Sequence, residues 1–413
     1  MVIWTLLVAG AVAFAFFRWR ARSEAVTPKQ REALLLQDIG QPPPYPVFWV
    51  FIHLLAGLQW IVEQLVPPPL TAMKLLTGTL RAEILATLTE LEVAEALAEG
   101  PCTADELAKQ LGCQAKRLER LLEASVSFGL FALAPESQKG GPKKFCNNKT
   151  SAVLRKSHPN TAYYLVSQIA ATTFKTVGHQ TKAVRQGGIQ FEEATGQDFW
   201  SYIKDRPQLS LAFNKSMAEV DRSLAPTLVK DYNWGRYSRL IDVGGCHGSF
   251  LRDILRQWPV PKGINFDQAH VIEEAKPIWA AYETGLQQKV EMVAGDFFRS
   301  ETIPKGEDGD LYFMRTILHD WNDEKTLAIL KACRAAIGNA SARMLLVEVT
   351  KGRGWAIDTV LIAPMADILM MKLLDGAERS VADWQDILPQ AGFKLGKMIP
   401  TATLFCMIEC IPV

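Results

Sequence analysis

A glycine-rich stretch near the middle of the chain, residues 239–250, has the residue types of a nucleotide-binding loop. The apolar run 240–243 predicts a buried strand, the pair Gly244-Gly245 ends it, and helical spacing begins at Phe250. A strand, a glycine turn and a helix in this order let a nucleotide-like ligand approach bare backbone at the helix N-terminus. Because many unrelated proteins contain such a loop, it predicts a ligand site without specifying the ligand.

The ligand is specified further by an aspartate that ends the next apolar run. Asp267 lies 19 residues after Gly248, where a carboxylate at the tip of the second strand would accept hydrogen bonds from a ribose diol. The strict dinucleotide pattern G-x-G-x-x-G fails, because its second glycine falls on Cys246. We therefore expect an adenosine-bearing ligand other than a nicotinamide dinucleotide.

The elements that must position this loop alternate between apolar strands and helices from residue 239 onwards. Predicted strands are 239–243, 263–267, 290–294, 310–315, 343–349 and 403–411, and predicted helices are 249–257, 269–281, 323–337 and 380–391. This alternation is typical of a doubly wound α/β sheet, which the last strand is expected to close.

The residues before the sheet predict a separate helical domain. The capping-box pattern Thr103-Ala-Asp-Glu106 opens a short helix, a second helix covers 116–128, and a basic Gly/Lys-rich tip follows at 139–144. This order is typical of a winged helix. Residues 116–128 carry three cations against two carboxylates and the net charge of the chain is only +1, so a structural or dimerisation role is favoured over DNA binding.

The N-terminal residues predict a membrane anchor. Residues 2–17 carry no charge, and Arg18, Arg20 and Arg22 follow at once. A helix over this run is ~24 Å long, somewhat short of the roughly 30 Å hydrocarbon core. A cleaved signal peptide, which would carry its positive charge before the apolar run, and a merely apolar terminal helix are the less favoured alternatives. The arginines place all later domains in the cytosol, and seven cysteines without paired spacing agree with a reducing compartment.

A second apolar run, residues 47–66, follows a proline-rich linker. It includes His53, Gln59, Glu63 and Gln64, which a membrane span tolerates poorly. An interfacial helix or a helix buried in a dimer is therefore favoured over a second membrane span, which stays open.

Three motifs in register resemble those of the small-molecule O-methyltransferases of plants, fungi and bacteria, the family of caffeate and acetylserotonin O-methyltransferases. The motifs are Ile241-Asp-Val-Gly-Gly-Cys-His-Gly248, Leu318-His-Asp-Trp-Asn-Asp-Glu324 and Gly376-Ala-Glu-Arg-Ser380. The resemblance covers roughly residues 73–413. It implies a Rossmann-like, doubly wound α/β methyltransferase sheet with an N-terminal α-helical winged-helix dimerisation domain, preceded here by the predicted membrane helix.

The resemblance and the N-terminal sequence together divide the chain into five predicted segments. They are a transmembrane anchor (1–22), a linker and apolar helix (23–72), a winged-helix-like dimerisation domain (73–155), a helical connector lining the acceptor pocket (156–235), and a catalytic domain that binds S-adenosylmethionine (236–413). The expected partners are a second copy of the chain, the membrane and a small hydroxylated acceptor, but no nucleic acid.

Three residues acquire chemical roles from the resemblance. His319 is expected to act as general base on an acceptor hydroxyl, since a phenol titrates near about 10 and a free histidine near about 6.5. Glu348 and Glu378 are expected to orient the imidazole and to stabilise it once protonated, although a surface salt bridge is an alternative for Glu378. No metal is implied, because His319 supplies the base.

The cofactor implied is S-adenosyl-L-methionine, with one residue set for the cofactor and one for the acceptor. The cofactor set is Gly244 at the methionine end, Asp267 on the ribose, Asp296 and Phe297 around adenine, Arg315 where many members have lysine, and Trp321 stacked on adenine. The acceptor set is Phe213, Met217, Asp320 and Met370. Leu373 stands where plant phenolic enzymes often have asparagine, which favours a small aromatic or otherwise lipophilic acceptor.

Other functions stay open beside this one. A family member with different chemistry, such as C-methylation or hydroxylation, is disfavoured by the intact His319 and Glu348. A winged-helix regulator that senses S-adenosylmethionine would show specific DNA binding with a steep salt dependence. A membrane scaffold that uses the fold only for dimerisation would fail to bind S-adenosylmethionine. Cys246, which replaces a glycine common in the family, has no functional account from the sequence.

Overall fold

The computed structural model describes residues 43–138, 142–282 and 284–413. The predicted anchor at 1–22, the linker up to residue 42 and part of the basic tip at 139–144 lie outside these ranges. The described chain divides into two compact units, residues 72–170 and residues 43–71 with 171–413. The five segment boundaries proposed from the sequence stay predictions.

The smaller unit is helical, with a three-stranded antiparallel sheet. Its helices are Pro68–Glu90, Val93–Ala96, Ala104–Leu111, Ala115–Ser127, Pro135–Gln138, Lys149–Ala152 and Tyr163–Thr173, of which the first begins and the last ends in the larger unit. Its strands are β1 (Cys102–Thr103), β2 (Ala132–Leu133) and β3 (Lys144–Cys146), in the order β1-β3-β2. The predicted capping box is confirmed: Glu106 N donates to the Thr103 hydroxyl over 3.3 Å, and Thr103 N donates to the Glu106 carboxylate over 2.7 Å.

The larger unit is built on an eight-stranded sheet that confirms the predicted doubly wound architecture. Its strands are β4 (Arg239–Val243), β5 (Lys262–Asp267), β6 (Val290–Ala294), β7 (Asp310–Arg315), β8 (Arg343–Lys351), β9 (Arg379–Ser380), β10 (Phe393–Pro400) and β11 (Phe405–Pro412). The order is β10-β11-β8-β7-β4-β5-β6, with β9 paired to β8. Strands β4 to β8 run parallel, so their carboxyl ends meet at one edge, where ligands bind in such sheets.

The C-terminal end of the sheet differs from the prediction of one closing strand at 403–411. Strands β10 and β11 form an antiparallel pair, and β11 lies between β10 and β8, so the last strand is internal. The register of the pair shifts between Leu395 and Met398. A bulge of this kind breaks the period-two alternation by which a strand is recognised, which is why β10 was missed.

Helices cover the sheet and lead into its strands. They are Tyr45–Leu65, Gln180–Gln186, Gln190–Thr195, Phe199–Lys204, Pro207–Lys230, Ser249–Gln257, Ala269–Ala280, Thr284–Gln287, Asp323–Ile337, Trp355–Val360, Ala363–Leu373 and Val381–Gln390, with 3₁₀ turns at Phe174–Thr176, Trp234–Arg236 and Leu318–Asp320. Buried residues of Tyr45–Leu65 pack against Trp355–Val360. Within the described residues, Tyr45–Leu65 is also the one helix long and apolar enough to cross a membrane.

Candidate active site

The turn after β4 is shaped by steric necessity. Gly244 has a φ of +79°, and a Cβ on it would lie 2.7 Å from Cδ1 of Ile317. A Cβ on Gly245 would lie 2.2 Å from Oδ1 of Asn265 and 2.6 Å from Cγ of Asp242. Only glycine fits at both positions, which leaves bare backbone at the carboxyl end of β4.

Asp267 ends β5 and is tied to the same turn. Its Oδ2 accepts a hydrogen bond from Cys246 N over 2.8 Å, and its Oδ1 accepts one from Gln268 N over 2.7 Å. Each carboxylate oxygen keeps a further lone pair for a ligand. Burial raises the pKa of Asp267, and the two backbone donors oppose that rise.

The same turn holds Cys246 in a backbone conformation that favours glycine. The φ of Cys246 is +51°, in the left-handed region. A residue with a Cβ pays about 1–2 kcal/mol for that conformation, and glycine does not. The substitution therefore costs stability without removing the backbone donor that holds Asp267.

A charged cluster beside the turn joins the predicted Arg315 to two aspartates that the sequence analysis did not assign, Asp221 and Asp242. Asp242 is 3% exposed within β4; burial raises its pKa to about 8, opposed by Arg315 and reinforced by Asp267 and Asp221. Arg315 Nη2 lies 2.5 Å from Asp221 Oδ1, and the Ser249 hydroxyl donates to Asp221 Oδ2 over 2.6 Å. A carboxylate inside an apolar strand was the signal that would have identified Asp242.

Aromatic rings collect at the other side of the turn. The Trp321 ring lies edge-on to those of Phe297 and Phe298, with centroid distances of 6.1 and 5.1 Å. An ideal Cβ on Gly244 would be 3.8 Å from Phe297, so this cluster borders the glycine turn. Asp296 lies two residues after the end of β6 and is exposed. The structure thus brings the predicted adenine residues to one end of the loop.

The imidazole of His319 is surrounded by carboxylates. It stands on the 3₁₀ turn Leu318–Asp320, directly after β7. Its Nδ1 lies 2.8 Å from Glu378 Oε1 and its Nε2 lies 3.4 Å from Asp320 Oδ1. Because an ionised carboxylate only accepts, Nδ1 carries a proton in both the neutral and the charged form of the ring. Glu378 is 2% exposed, which argues against the surface salt bridge considered for it.

Glu348 fixes the backbone of the same turn from β8. Its Oε1 accepts hydrogen bonds from Ile317 N over 3.1 Å and from Leu318 N over 2.9 Å. Its Oε2 and the Oε2 of Glu378 are buried and have no hydrogen-bond partner in the part of the chain that the structure describes. One ligand atom from each of His319, Glu348 and Glu378 lies within 4.8 Å of the others. Since unpaired buried charge is costly, this cluster favours a proton or another cation between its members.

Burial and neighbouring charges set the protonation of this cluster. Burial lowers the pKa of His319, but Asp320, Glu378 and Glu348 together outweigh it and raise the pKa to about 10. Burial raises the pKa of Asp320 to about 6 and that of Glu348 to about 7, with His319 opposing both. The carboxylates therefore hold the pKa of His319 above the free-histidine value of about 6.5 assumed from the sequence, which favours the imidazolium at neutral pH.

A buried arginine that the sequence analysis did not assign positions the turn. Arg379, 2% exposed, donates to the carbonyl oxygens of Leu318 and Trp321, each over 2.8 Å. Three residues before it, a Cβ on Gly376 would lie 2.0 Å from the carbonyl oxygen of His319. The third motif therefore acts by holding its backbone against the turn. The sequence feature that could have identified Arg379 was its place next to Glu378 within that motif.

The segment that carries Glu378 is held from the other side by an ion pair. Asp367 accepts a hydrogen bond from Glu378 N over 2.9 Å, and its other oxygen lies 2.6 Å from Lys351 Nζ. Neither residue was assigned from the sequence, because their positions have no recognisable motif. They fix where the Glu378 carboxylate meets the imidazole.

Among the predicted acceptor residues, the structure places Asp320 beside the imidazole, Phe213 in an apolar cluster, Met217 at the surface and Met370 in a half-buried position. Phe213 packs edge-on against Phe199 and Trp200, with centroid distances of 6.0 and 5.6 Å. Met217, one turn further along Pro207–Lys230, is 40% exposed. Met370 is half-buried on Ala363–Leu373, whose last residue packs with Phe213 in one apolar cluster. Their role at the acceptor stays a prediction.

Comparison with known proteins places this geometry in a family context. A family model described as an O-methyltransferase domain matches residues 178–394, which is more than half of the chain. A second model, described as an O-methyltransferase dimerisation domain, matches residues 73–157.

Individual relatives agree with the family models. O-demethylpuromycin-O-methyltransferase of Streptomyces alboniger is 31% identical, over 83% of this chain and 88% of the relative. Phenazine O-methyltransferase PhzM of Lysobacter antibioticus is 28% identical, over 84% of this chain and 97% of the relative. The crystal structure of LaPhzM covers 84% of this chain and all of its own with a TM-score of 0.73. Human N-acetylserotonin methyltransferase, solved in complex with SAM, shares the fold at 22% identity, with a TM-score of 0.71 over 84% of this chain and 98% of its own.

Proposed function

Since the chain belongs to the family of S-adenosylmethionine-dependent small-molecule O-methyltransferases, we propose that His319 is its general base and that its acceptor is a small aromatic or otherwise lipophilic molecule with a hydroxyl group. The observation that carries this proposal is the 2.8 Å contact between His319 Nδ1 and the buried Glu378 carboxylate. This contact commits Nδ1 as a donor and leaves Nε2 as the atom able to take a proton.

The residues around the glycine turn fit S-adenosylmethionine. Its ammonium and sulfonium groups outweigh its carboxylate, and Asp221 and Asp267 outnumber Arg315 beside the turn. Asp267 has lone pairs for a ribose diol, and Phe297 and Trp321 offer ring surfaces. When bound, S-adenosylmethionine supplies an electrophilic methyl group.

In the proposed mechanism His319 Nε2 takes the proton of the acceptor hydroxyl. Bound S-adenosylmethionine would supply the methyl group to that oxygen as its sulfur–methyl bond breaks, and it would leave as S-adenosylhomocysteine. The negative charge of Glu378, Glu348 and Asp320 stabilises the imidazolium that results. A base with a pKa of about 10 is matched to a phenol, whose pKa is also about 10. An ordinary histidine would remove the same proton against a larger energy difference. This match favours a phenolic hydroxyl over an aliphatic one.

The raised pKa of His319 also sets a condition on the protonation of the free enzyme. At neutral pH His319 of the free enzyme is protonated. In the complex, a neutral imidazole beside a neutral phenol is in equilibrium with an imidazolium beside a phenolate. Either pair contains the same number of protons. Productive binding therefore requires one proton fewer than the free site holds, and activity rises with pH.

We also propose that residues 1–22 anchor the enzyme to a membrane in a single pass, with the catalytic domain in the cytosol. The uncharged run at 2–17 and the three arginines after it support this topology. The dimerisation domain supports a homodimer.

The experiment that tests the proposed base compares His319→Gln and His319→Ala with the wild-type enzyme. Turnover of a labelled methyl donor with a panel of phenols should be lost, while calorimetry with S-adenosylmethionine should give a nearly unchanged affinity. His247→Gln is the matched control, because His247 lies 3.4 Å from Glu274 instead of joining the carboxylate cluster. Full activity of His319→Gln would remove His319 from the mechanism.

A further inference from the structure

Helix Tyr45–Leu65 exposes large apolar side chains around most of its surface. Eleven of them are between 38% and 78% exposed, and Leu65 is the most exposed of these. The buried residues of the helix, Phe48, Ile52 and Ala56, form one narrow face. Because a soluble surface rarely exposes so much contiguous apolar area, this helix indicates contact with another apolar body.

The width of the exposed apolar surface favours lipid chains over a single partner helix. At 3.6 residues per turn, the exposed apolar residues outside the two tryptophans cover a continuous arc of about 140° of the helix circumference. Trp49 and Trp60 border the buried face on its other side. A partner helix covers a narrow seam of two positions in seven, which would leave much of this arc in water. Lipid chains cover an arc of any width.

The packing of the buried face determines how the helix can meet a bilayer. The helix is long and apolar enough to cross a membrane by length and composition. Its buried face, however, packs against Ala356, Ile357 and Ala402 of the unit that contains the eight-stranded sheet. That unit carries charged surface residues, which hydrocarbon excludes. The helix therefore suits a position along the bilayer surface, with its exposed arc towards the lipid chains.

The composition of the helix determines which lipids it suits. Residues 45–65 include neither lysine nor arginine, and their one acidic residue is Glu63. Attraction to anionic headgroups therefore contributes nothing, and apolar insertion must supply the affinity. Tyr45, Trp49 and Trp60 are residue types that prefer the headgroup level. Such a helix should bind zwitterionic phosphatidylcholine, and salt should have little effect on its binding.

We propose that helix Tyr45–Leu65 lies in the surface of a phospholipid bilayer and holds the catalytic unit against it. This contact is separate from the proposed anchor at 1–22, which the linker would leave at a distance from the catalytic unit. A lipophilic acceptor dissolved in the bilayer then meets the catalytic unit directly, a consequence that rests on the proposed acceptor class.

Quenching by brominated lipid tests whether the arc meets lipid chains. The full-length variants Leu54→Cys and Leu58→Cys are labelled with a thiol-reactive fluorophore and bound to phosphatidylcholine vesicles. Replacing the lipid by brominated phosphatidylcholine should quench both labels. Val184→Cys is the matched control, because Val184 is an exposed apolar residue on another helix of the same unit, and its label should keep its emission. The labelled wild type gives the background of the native cysteines.

Flotation with vesicles separates this contact from the proposed anchor. Val8→Arg/Val12→Arg places two charges in the run 2–17 of the full chain and should disable an anchor there. This variant should still float with phosphatidylcholine vesicles. Adding Leu54→Gln/Leu58→Gln should weaken its binding by roughly tenfold for each leucine, whereas adding Val184→Gln should not. Methyl transfer by each variant checks its folding.

The outcomes distinguish failure of this proposal from failure of the anchor. Release by Val8→Arg/Val12→Arg alone would overturn the proposal and leave the anchor in place. Unquenched labels on floating protein would also overturn it and would assign the arc to a protein cover, such as a second copy or residues 2–17. Binding that needs anionic lipid would contradict apolar insertion. A wild type that does not float would overturn both membrane contacts.

Discussion

Replacing Glu378 by glutamine tests directly whether the carboxylates set the strength of the proposed base. The Glu378→Gln side chain has the same shape and retains an oxygen that can accept from Nδ1, so the tautomer of His319 is preserved. What the change removes is a negative charge 2.8 Å from the imidazole, in a pair of which Glu378 is 2% and His319 15% exposed. The substitution therefore separates charge from geometry.

The size of the effect follows from the energy of a buried charge-assisted hydrogen bond. Such a bond contributes about 1.5–3 kcal/mol. One pKa unit corresponds to about 1.4 kcal/mol, so the pKa of His319 should fall by about 1–2 units from its value of about 10. The imidazolium formed in the reaction loses the same stabilisation, so the maximal rate should fall by roughly 10- to 100-fold.

The assay is the pH profile of kcat/KM at saturating S-adenosylmethionine, because kcat/KM reports ionisations of the free enzyme. Activity rises with pH as His319 loses its proton. A lower pKa therefore moves this rise to lower pH in Glu378→Gln, while the plateau drops. Glu324→Gln, which changes an exposed carboxylate of the second motif, should leave both features unchanged. A rise at unchanged or higher pH in Glu378→Gln would refute the argument that this carboxylate strengthens the base.

Three further predictions concern the cofactor site, the fit of the third motif and metal removal. Asp267→Ala should weaken S-adenosylmethionine binding by roughly tenfold or more in calorimetry, because a half-buried charged acceptor is lost, and unchanged affinity would remove Asp267 from the site. Gly376→Ala should lower both Tm and kcat, since its Cβ would meet the His319 carbonyl oxygen at 2.0 Å; a wild-type Tm and rate would contradict that fit. Exhaustive treatment with a chelator should leave turnover unchanged, and loss of activity that Zn²⁺ or Mg²⁺ restores would show that a metal takes part.

The parts of the site that lie close together in sequence could be predicted from it. Gly244 and Asp267 follow consecutive strands of a parallel sheet, so period and turn chemistry alone place them at one edge. Asp242 was not identified, because the strand at 239–243 was recognised from its apolar residues alone. The bulge in β10 hid a strand for the related reason that it breaks the alternation.

The strength of the proposed base could not be predicted in this way. Glu348 and Glu378 are far from His319 in the sequence, and only the pairing of β7 with β8 and the Arg379 contacts bring their carboxylates to one imidazole. A pKa depends on such distances and on burial, neither of which a motif specifies. Sequence resemblance thus indicated which residues meet, whereas the structure determines how strongly they interact.

The turn that carries His319 contains one residue in a strained backbone conformation. Thr316 has a φ of +53°, a left-handed conformation that is rare for a β-branched residue and costs about 1–3 kcal/mol. That conformation directs the next two backbone N–H groups onto Glu348, and Arg379 holds the carbonyl side of the same turn. Strain in one residue is thereby offset by hydrogen bonds to two buried charged groups. The imidazole is consequently held in place before an acceptor arrives, as proton transfer to a fixed atom requires.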